Sequence, residues 1–89
     1  MPKYLVIHPV GGEMTLEAGT PIAKSIKAHC TADAYWRRTL YAPEAGALYC
    51  TWDAVDADAI RGALAKAAPS LPTEGPYLID LDIHSEDFR

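Results

Sequence analysis

Tyr77-Leu78-Ile79-Asp80-Leu81-Asp82-Ile83-His84 alternates apolar and polar residues almost without a break. Successive side chains on a strand point to opposite faces, so Tyr77, Ile79, Leu81 and Ile83 form one apolar row. Asp80, Asp82 and His84 project from the other side, with Leu78 at their head. A closing strand with one oily face and one face of carboxylates and imidazole implies a sheet covered on one side only. Its polar row is also a set of oxygen and nitrogen donors suited to a divalent metal or to proton transfer.

Upstream of this strand the chain divides cleanly. Lys3 to Pro9 reads as a first strand, rich in Leu, Val and Ile and stopped by Pro9 and Gly11-Gly12. Thr20-Pro21 reads as an N-cap followed by a first-turn proline, and Ile22, Ala23, Ile26 and Cys30 then recur at helical spacing. A start at Thr15 would leave Gly19 and Pro21 inside the helix, which disfavours it. Tyr35 to Ala42 and Ala47 to Trp52 form a hairpin about the turn Pro43-Glu44-Ala45-Gly46. Asp56 caps a second helix with a buried stripe of Ala59, Ile60, Ala63, Leu64 and Ala67. Pro69, Pro72, Gly75 and Pro76 carry the chain into the last strand.

The order β-α-β-β-α-β predicts an α+β, ferredoxin-like fold. Right-handed crossovers put both helices on one face of a four-stranded antiparallel sheet of order 4-1-3-2. The whole chain of 89 residues is then a single domain. The apolar rows place Leu5, Ile7, Trp36, Leu40, Leu48, Cys50, Trp52, Ile79, Leu81 and Ile83 under the helices, with Arg38 as the misfit. The open face is then Tyr4, Val6, His8, Arg37, Thr39, Tyr41, Tyr49 and Thr51, with Asp80, Asp82 and His84. A surface of tyrosines, threonines and ions suits a partner interface or a pocket wall.

Hydrophobic residues make up 49% and charged residues 22%, an ordinary globular balance. A net charge of −4 without a Lys/Arg cluster argues against nucleic acid and against a membrane surface. No stretch has the form of a signal peptide or of a membrane span, so a cytoplasmic location is expected. Cys30 and Cys50 lie far apart and read as half-buried thiols.

Alternate residues on one strand face lie about 6.8 Å apart, so Asp80, Asp82 and His84 can aim adjacent side chains at one ion. Such mixed oxygen and nitrogen donors suit nickel, zinc, manganese or iron. His8 is expected beside Thr51 and Arg37, away from His84 within one subunit. A site using both histidines therefore needs two copies of the chain. The competing reading of the acidic row is a solvated edge that resists aggregation. His29, at the end of the first helix, needs no role beyond the helix dipole.

Ile22-Ala23-Lys24-Ser25, Trp36, Thr39-Leu40-Tyr41, Leu48-Tyr49-Cys50-Thr51-Trp52, Ala54-Val55-Asp56 and Ala59-Ile60-Arg61 carry a resemblance. Over most of residues 3–84 the chain resembles a family of small bacterial ferredoxin-like proteins that includes a nickel-binding protein. The resemblance implies a homodimer and a divalent ion, Ni2+ first. The ligand candidates His8, Asp80, Asp82 and His84 come from the strand-face argument.

Three functional expectations follow. The first is a non-catalytic, dimeric metal-binding protein, with no organic cofactor. The second is a dimeric α+β barrel enzyme or binder of monooxygenase or isomerase type. There His8, Tyr4, Tyr41 and Tyr49 would supply acid-base and hydrogen-bonding groups; an enclosed apolar cavity beside His8 would favour it, and a fully packed interface there would count against it. The third is an interaction module whose open sheet face only pairs with another protein.

Overall fold

The computed structural model describes residues 1–88. Strand β1 (Lys3–Pro9) runs through the centre of the sheet and is followed by helix α1 (Leu16–Ala28). The hairpin β2 (Ala34–Ala42) and β3 (Ala47–Ala54), helix α2 (Ala57–Ala67) and strand β4 (Glu74–Ile79) complete the fold, with a short 3-10 turn at Ser85–Asp87. The strands lie in the order β2-β3-β1-β4, each pair antiparallel. This is the ferredoxin-like α+β fold with the expected 4-1-3-2 order, read from the opposite edge. Among the described residues, no helix is long and apolar enough to cross a membrane.

Helix α2 forms as its sequence dictates. Asp56 Oδ1 accepts from the Ala59 amide at 2.8 Å, and Ile60, Ala63 and Leu64 are buried on one face. Helix α1 starts a turn earlier than expected. Thr15, not Thr20, is its N-cap, with Oγ1 accepting from the Ala18 amide at 3.1 Å. Pro21 therefore sits inside the helix. Its missing N–H leaves only the carbonyl of Glu17, an exposed residue, without its usual donor. Thr20 serves this turn differently, donating its hydroxyl to the Leu16 carbonyl at 2.7 Å.

The helix-covered face differs from the expected one along β1, β2 and β4. In β1 it carries Tyr4, Val6 and His8, which pair with Trp52, Cys50 and Leu48 on β3. Leu5 and Ile7 point to the open face instead. In β4, Tyr77 and Ile79 pair with Leu5 and Lys3, so Ile79 faces the open side and not the helices. In β2 a register shift between Trp36 and Arg38 absorbs one residue, so Trp36 lies inside and so do Thr39 and Tyr41 beyond it. Arg38 and Leu40 thus turn outward, opposite Thr51 and Tyr49. The bulge resolves the Arg38 misfit by reversing the faces after it.

The last strand is also shorter than its alternation suggests. Its final pair is Lys3 with Ile79. Beyond it β1 offers only Pro2, which has no N–H and whose carbonyl already accepts from the Ala54 amide at 3.0 Å. Asp80, Leu81, Asp82, Ile83 and His84 consequently run outside the sheet, all exposed. Leu81 and Ile83 do not lie under the helices, being 74% and 66% exposed.

The core gathers Val6, Ile26, Cys50, Trp52, Ile60 and Leu64. On the β4 side, Gly75 has φ +92°, and an added Cβ would come within 3.0 Å of the Leu5 carbonyl oxygen. Gly75→Ala should therefore cost about 2 kcal/mol through strain at a left-handed position. Urea denaturation checks this as a lower midpoint at unchanged slope.

Candidate functional site

The reversal of β1 puts its one imidazole under the helices. His8 is 1% exposed. Its Nδ1 lies 3.0 Å from the Pro72 carbonyl oxygen and 3.2 Å from Thr73 Oγ1. A carbonyl can only accept, so Nδ1 carries the proton and donates. Thr73 directs its own hydroxyl hydrogen to the Leu71 carbonyl at 3.1 Å, which leaves its oxygen free to accept as well. The tautomer follows: Nε2 holds the lone pair. Among the described residues it has no hydrogen-bond partner.

Burial pushes the His8 pKa below its ordinary value of 6.5, outweighing the opposing effect of the Pro72 hydrogen bond. The ring is therefore neutral at pH 7. Below pH 6.5 the unfolded chain takes up a proton at this ring more readily than the native one. Its contribution to stability is thus complete above that pH and is lost as pH falls through the lowered native value. Stability curves from pH 8 to 5 should bend downward on the acid side, and His8→Phe should flatten the bend. The Cys50 thiol on the same face is pushed up by burial, away from this window. Asp82, lowered from 3.8, acts only near and below pH 4.

His8 borders a cavity of about 430 Å³ between the N-terminal half of α1 and the sheet. Ile22, Ala23 and Ile26 of α1 form one wall, and Leu48, Cys50 and Thr39 form the floor. Tyr41 also lines the cavity, and its hydroxyl donates to the Gly11 carbonyl at 2.7 Å and accepts from the Met14 amide at 3.0 Å. The hairpin turn pins the same loop, because the Val10 and Gly11 amides both donate to the Gly46 carbonyl. The β1–α1 connection is thus tied down by β2 and by the hairpin turn.

Among the described residues, no charged side chain lines the cavity. Its other polar groups are already paired. Thr15 caps α1, Thr20 bonds Leu16, and Trp36 Nε1 donates to Thr39 Oγ1 at 2.8 Å. Thr39 Oγ1 also lies 3.1 Å from Cys50 Sγ. His8, which borders this otherwise apolar chamber, carries the unpaired Nε2, an atom with almost no accessible surface of its own.

The other candidate ligands lie elsewhere. Lys3 Nζ is 3.0 Å from Asp82 Oδ2, and His84 Nε2 is 3.1 Å from Asp82 Oδ1. The Lys3 hydrogen bond and charge, helped by His84, hold the Asp82 carboxyl below its ordinary value. Asp80 is exposed beside them. Lys3 and His8 stand at opposite ends of β1, about 17 Å apart along a strand. His8 and the Asp82–His84 pair are therefore not brought together in one chain. Among the described residues, no group of three His, Cys, Asp or Glu side chains could hold one metal ion.

His8 was expected on the open face beside Thr51 and Arg37, but antiparallel pairing sets it opposite Leu48. Thr39 and Tyr41 were likewise expected on the open face. Arg38, a charge in an otherwise apolar row, was the sequence signal for the bulge that turns them inward.

No protein-family model matches this chain, and no curated protein matches it. Among solved structures, it is similar to the crystal structure of SCO4226 from Streptomyces coelicolor A3(2). The two share 14% sequence identity with a TM-score of 0.77, over 91% of this chain and 99% of that one. At this identity the likeness concerns the fold.

Proposed function

We propose that this protein is a homodimeric binding protein for a small apolar molecule held in the cavity beside His8. The observation that carries the reading is an uncharged chamber of about 430 Å³ bordered by a buried imidazole with an unpaired nitrogen. Leaving a buried acceptor unpaired costs about 1–3 kcal/mol, a cost that a bound molecule or a water can remove. Chambers of about 300–1,000 Å³ lined by apolar side chains with a few polar groups are the usual form of small-molecule sites. The same lone pair is what a general base uses, so proton transfer on the bound molecule is the enzymatic form of this reading. Calorimetric titration with 2-methoxynaphthalene tests the binding. One saturable site per chain with a negative heat-capacity change supports it, and the absence of saturable heat removes it.

The dimer is supported by the open sheet face. Leu40, Tyr49 and Ile7 line up across three strands, and Leu5 and Tyr77 continue the apolar surface on β1 and β4. Leu40 and Tyr77 are 53% and 52% exposed, and the apolar tail residues Leu81 and Ile83 extend from the end of β4. Such a continuous patch suits burial against a second copy. Sedimentation should give a dimer at micromolar concentration, reduced to a monomer by Leu40→Asp with Tyr77→Asp. A wild-type monomer at that concentration would contradict the pairing.

A second reading rests on the 3.1 Å contact between Asp82 and His84. These side chains supply oxygen and nitrogen donors of the kind nickel accepts, and a second copy could complete the set. Nickel titration of chelator-treated protein distinguishes this reading, since His84→Ala should abolish the binding. Unchanged affinity in that variant would remove the site.

A further inference from the structure

We infer that the cavity selects uncharged molecules of one or two fused rings that carry a hydroxyl or N–H group and donate it to His8 Nε2. The inference rests on the cavity being the binding site, as proposed above, and adds the chemistry of what it takes.

The selectivity follows from which groups are already engaged. The Pro72 carbonyl fixes the proton on Nδ1, so Nε2 offers a lone pair and no hydrogen. A ligand donor satisfies that atom, whereas a ligand acceptor faces it lone pair to lone pair. Thr20 and Tyr41 spend their hydroxyl hydrogens on the Leu16 and Gly11 carbonyls and would lose those bonds by turning to a ligand, while the Thr15 and Thr39 oxygens already accept from the Ala18 amide and the Trp36 indole. A carboxylate, phosphate or ammonium group would enter without any opposite charge on the cavity wall. Burying an unpaired ion is far costlier than burying a neutral ring, so charged molecules are rejected by desolvation alone. Size narrows the class further, because about 430 Å³ lies near the lower end of small-molecule sites. Phenol-type and indole-type compounds share the required chemistry, with a flat apolar body and one outward donor.

The test compares three probes of similar shape on the full chain at pH 7: 2-naphthol, 2-methoxynaphthalene and 2-naphthoate. Calorimetry should show 2-naphthol binding about tenfold tighter than its methyl ether, since a buried acceptor is satisfied by one and not the other. Naphthoate should bind about a hundredfold more weakly than naphthol. Equal affinity of naphthol and its ether would overturn the inference while leaving the apolar binding reading intact. Absence of saturable binding by either neutral probe would overturn both.

His8→Phe keeps a flat ring of similar size but removes the lone pair. It should remove the preference for naphthol over the ether. The wild-type nitrogen spectrum provides a readout that does not depend on the variant folding. The unprotonated Nε2 resonance of His8 should move toward its protonated position when naphthol is added and stay in place with the ether. A resonance indifferent to naphthol at saturation would overturn the inference.

Discussion

Ala23→Phe is expected to abolish ligand binding while leaving the fold standing. Ala23 lies on the wall that α1 presents to the cavity, one residue after Ile22 and three before Ile26. A phenyl group there grows into space that is empty in the wild type. Overpacking a filled core typically costs about 1–3 kcal/mol, but a cavity of about 430 Å³ relieves that strain. The variant should therefore melt within a few degrees of the wild type yet bind 2-methoxynaphthalene at least about a hundredfold more weakly. Calorimetry and thermal denaturation of the same preparation separate the two effects. Retained affinity in a folded variant would place the ligand elsewhere.

Trp52→Ala should have the largest effect on stability. Trp52 is 1% exposed and pairs with Tyr4 on one side and Trp36 on the other. Truncating a buried aromatic of this kind costs about 3–5 kcal/mol. A chain of 89 residues has a total stability on the order of 5–10 kcal/mol, so most of it would be lost. The origin of the cost is packing rather than hydrogen bonding. Among the described residues, Trp52 Nε1 has no partner. Trp52→Phe retains much of the apolar contact and removes this unpaired donor, so its cost should be only about 1–2 kcal/mol. Urea denaturation of both variants checks the difference. A Phe variant as unstable as the Ala variant would mean that the indole N–H supports the fold.

The strand order and the second helix were legible because each rests on a strong local signal. Asp56 caps α2 as its sequence position suggests, and the Ile60, Ala63 and Leu64 stripe is buried. The hairpin turn before Ala47 falls where Pro43 to Gly46 place it. The faces of the sheet were harder to read. Leu5-Val6-Ile7 is apolar on both sides, so alternation in β1 could not say whether His8 points in or out. The bulge near Arg37 reversed the faces within β2, moving Thr39 and Tyr41 into the covered layer. Those two effects hid the cavity, since three of its polar residues were assigned to the wrong side.

The Tyr77–His84 alternation was read as one strand because the pattern alone cannot show where its neighbour ends. Pairing stops at Lys3 and Ile79, and Pro2 closes the ladder. The early start of α1 was missed for a different reason. The Thr15 cap and the Thr20–Leu16 bond outweigh the helix-breaking tendencies of Gly19 and Pro21. Tertiary context decided where the strand ends, whereas contacts within the helix itself accompany its early start.

Intermolecular proton contacts between bound 2-naphthol and the methyl groups of the isotopically labelled chain test the account most directly. The cavity reading expects contacts to Ile22, Ile26 and Leu48, which line the chamber beside His8. Contacts confined to Leu5, Ile7 and Leu40 on the open sheet face, with none inside the chamber, would contradict it.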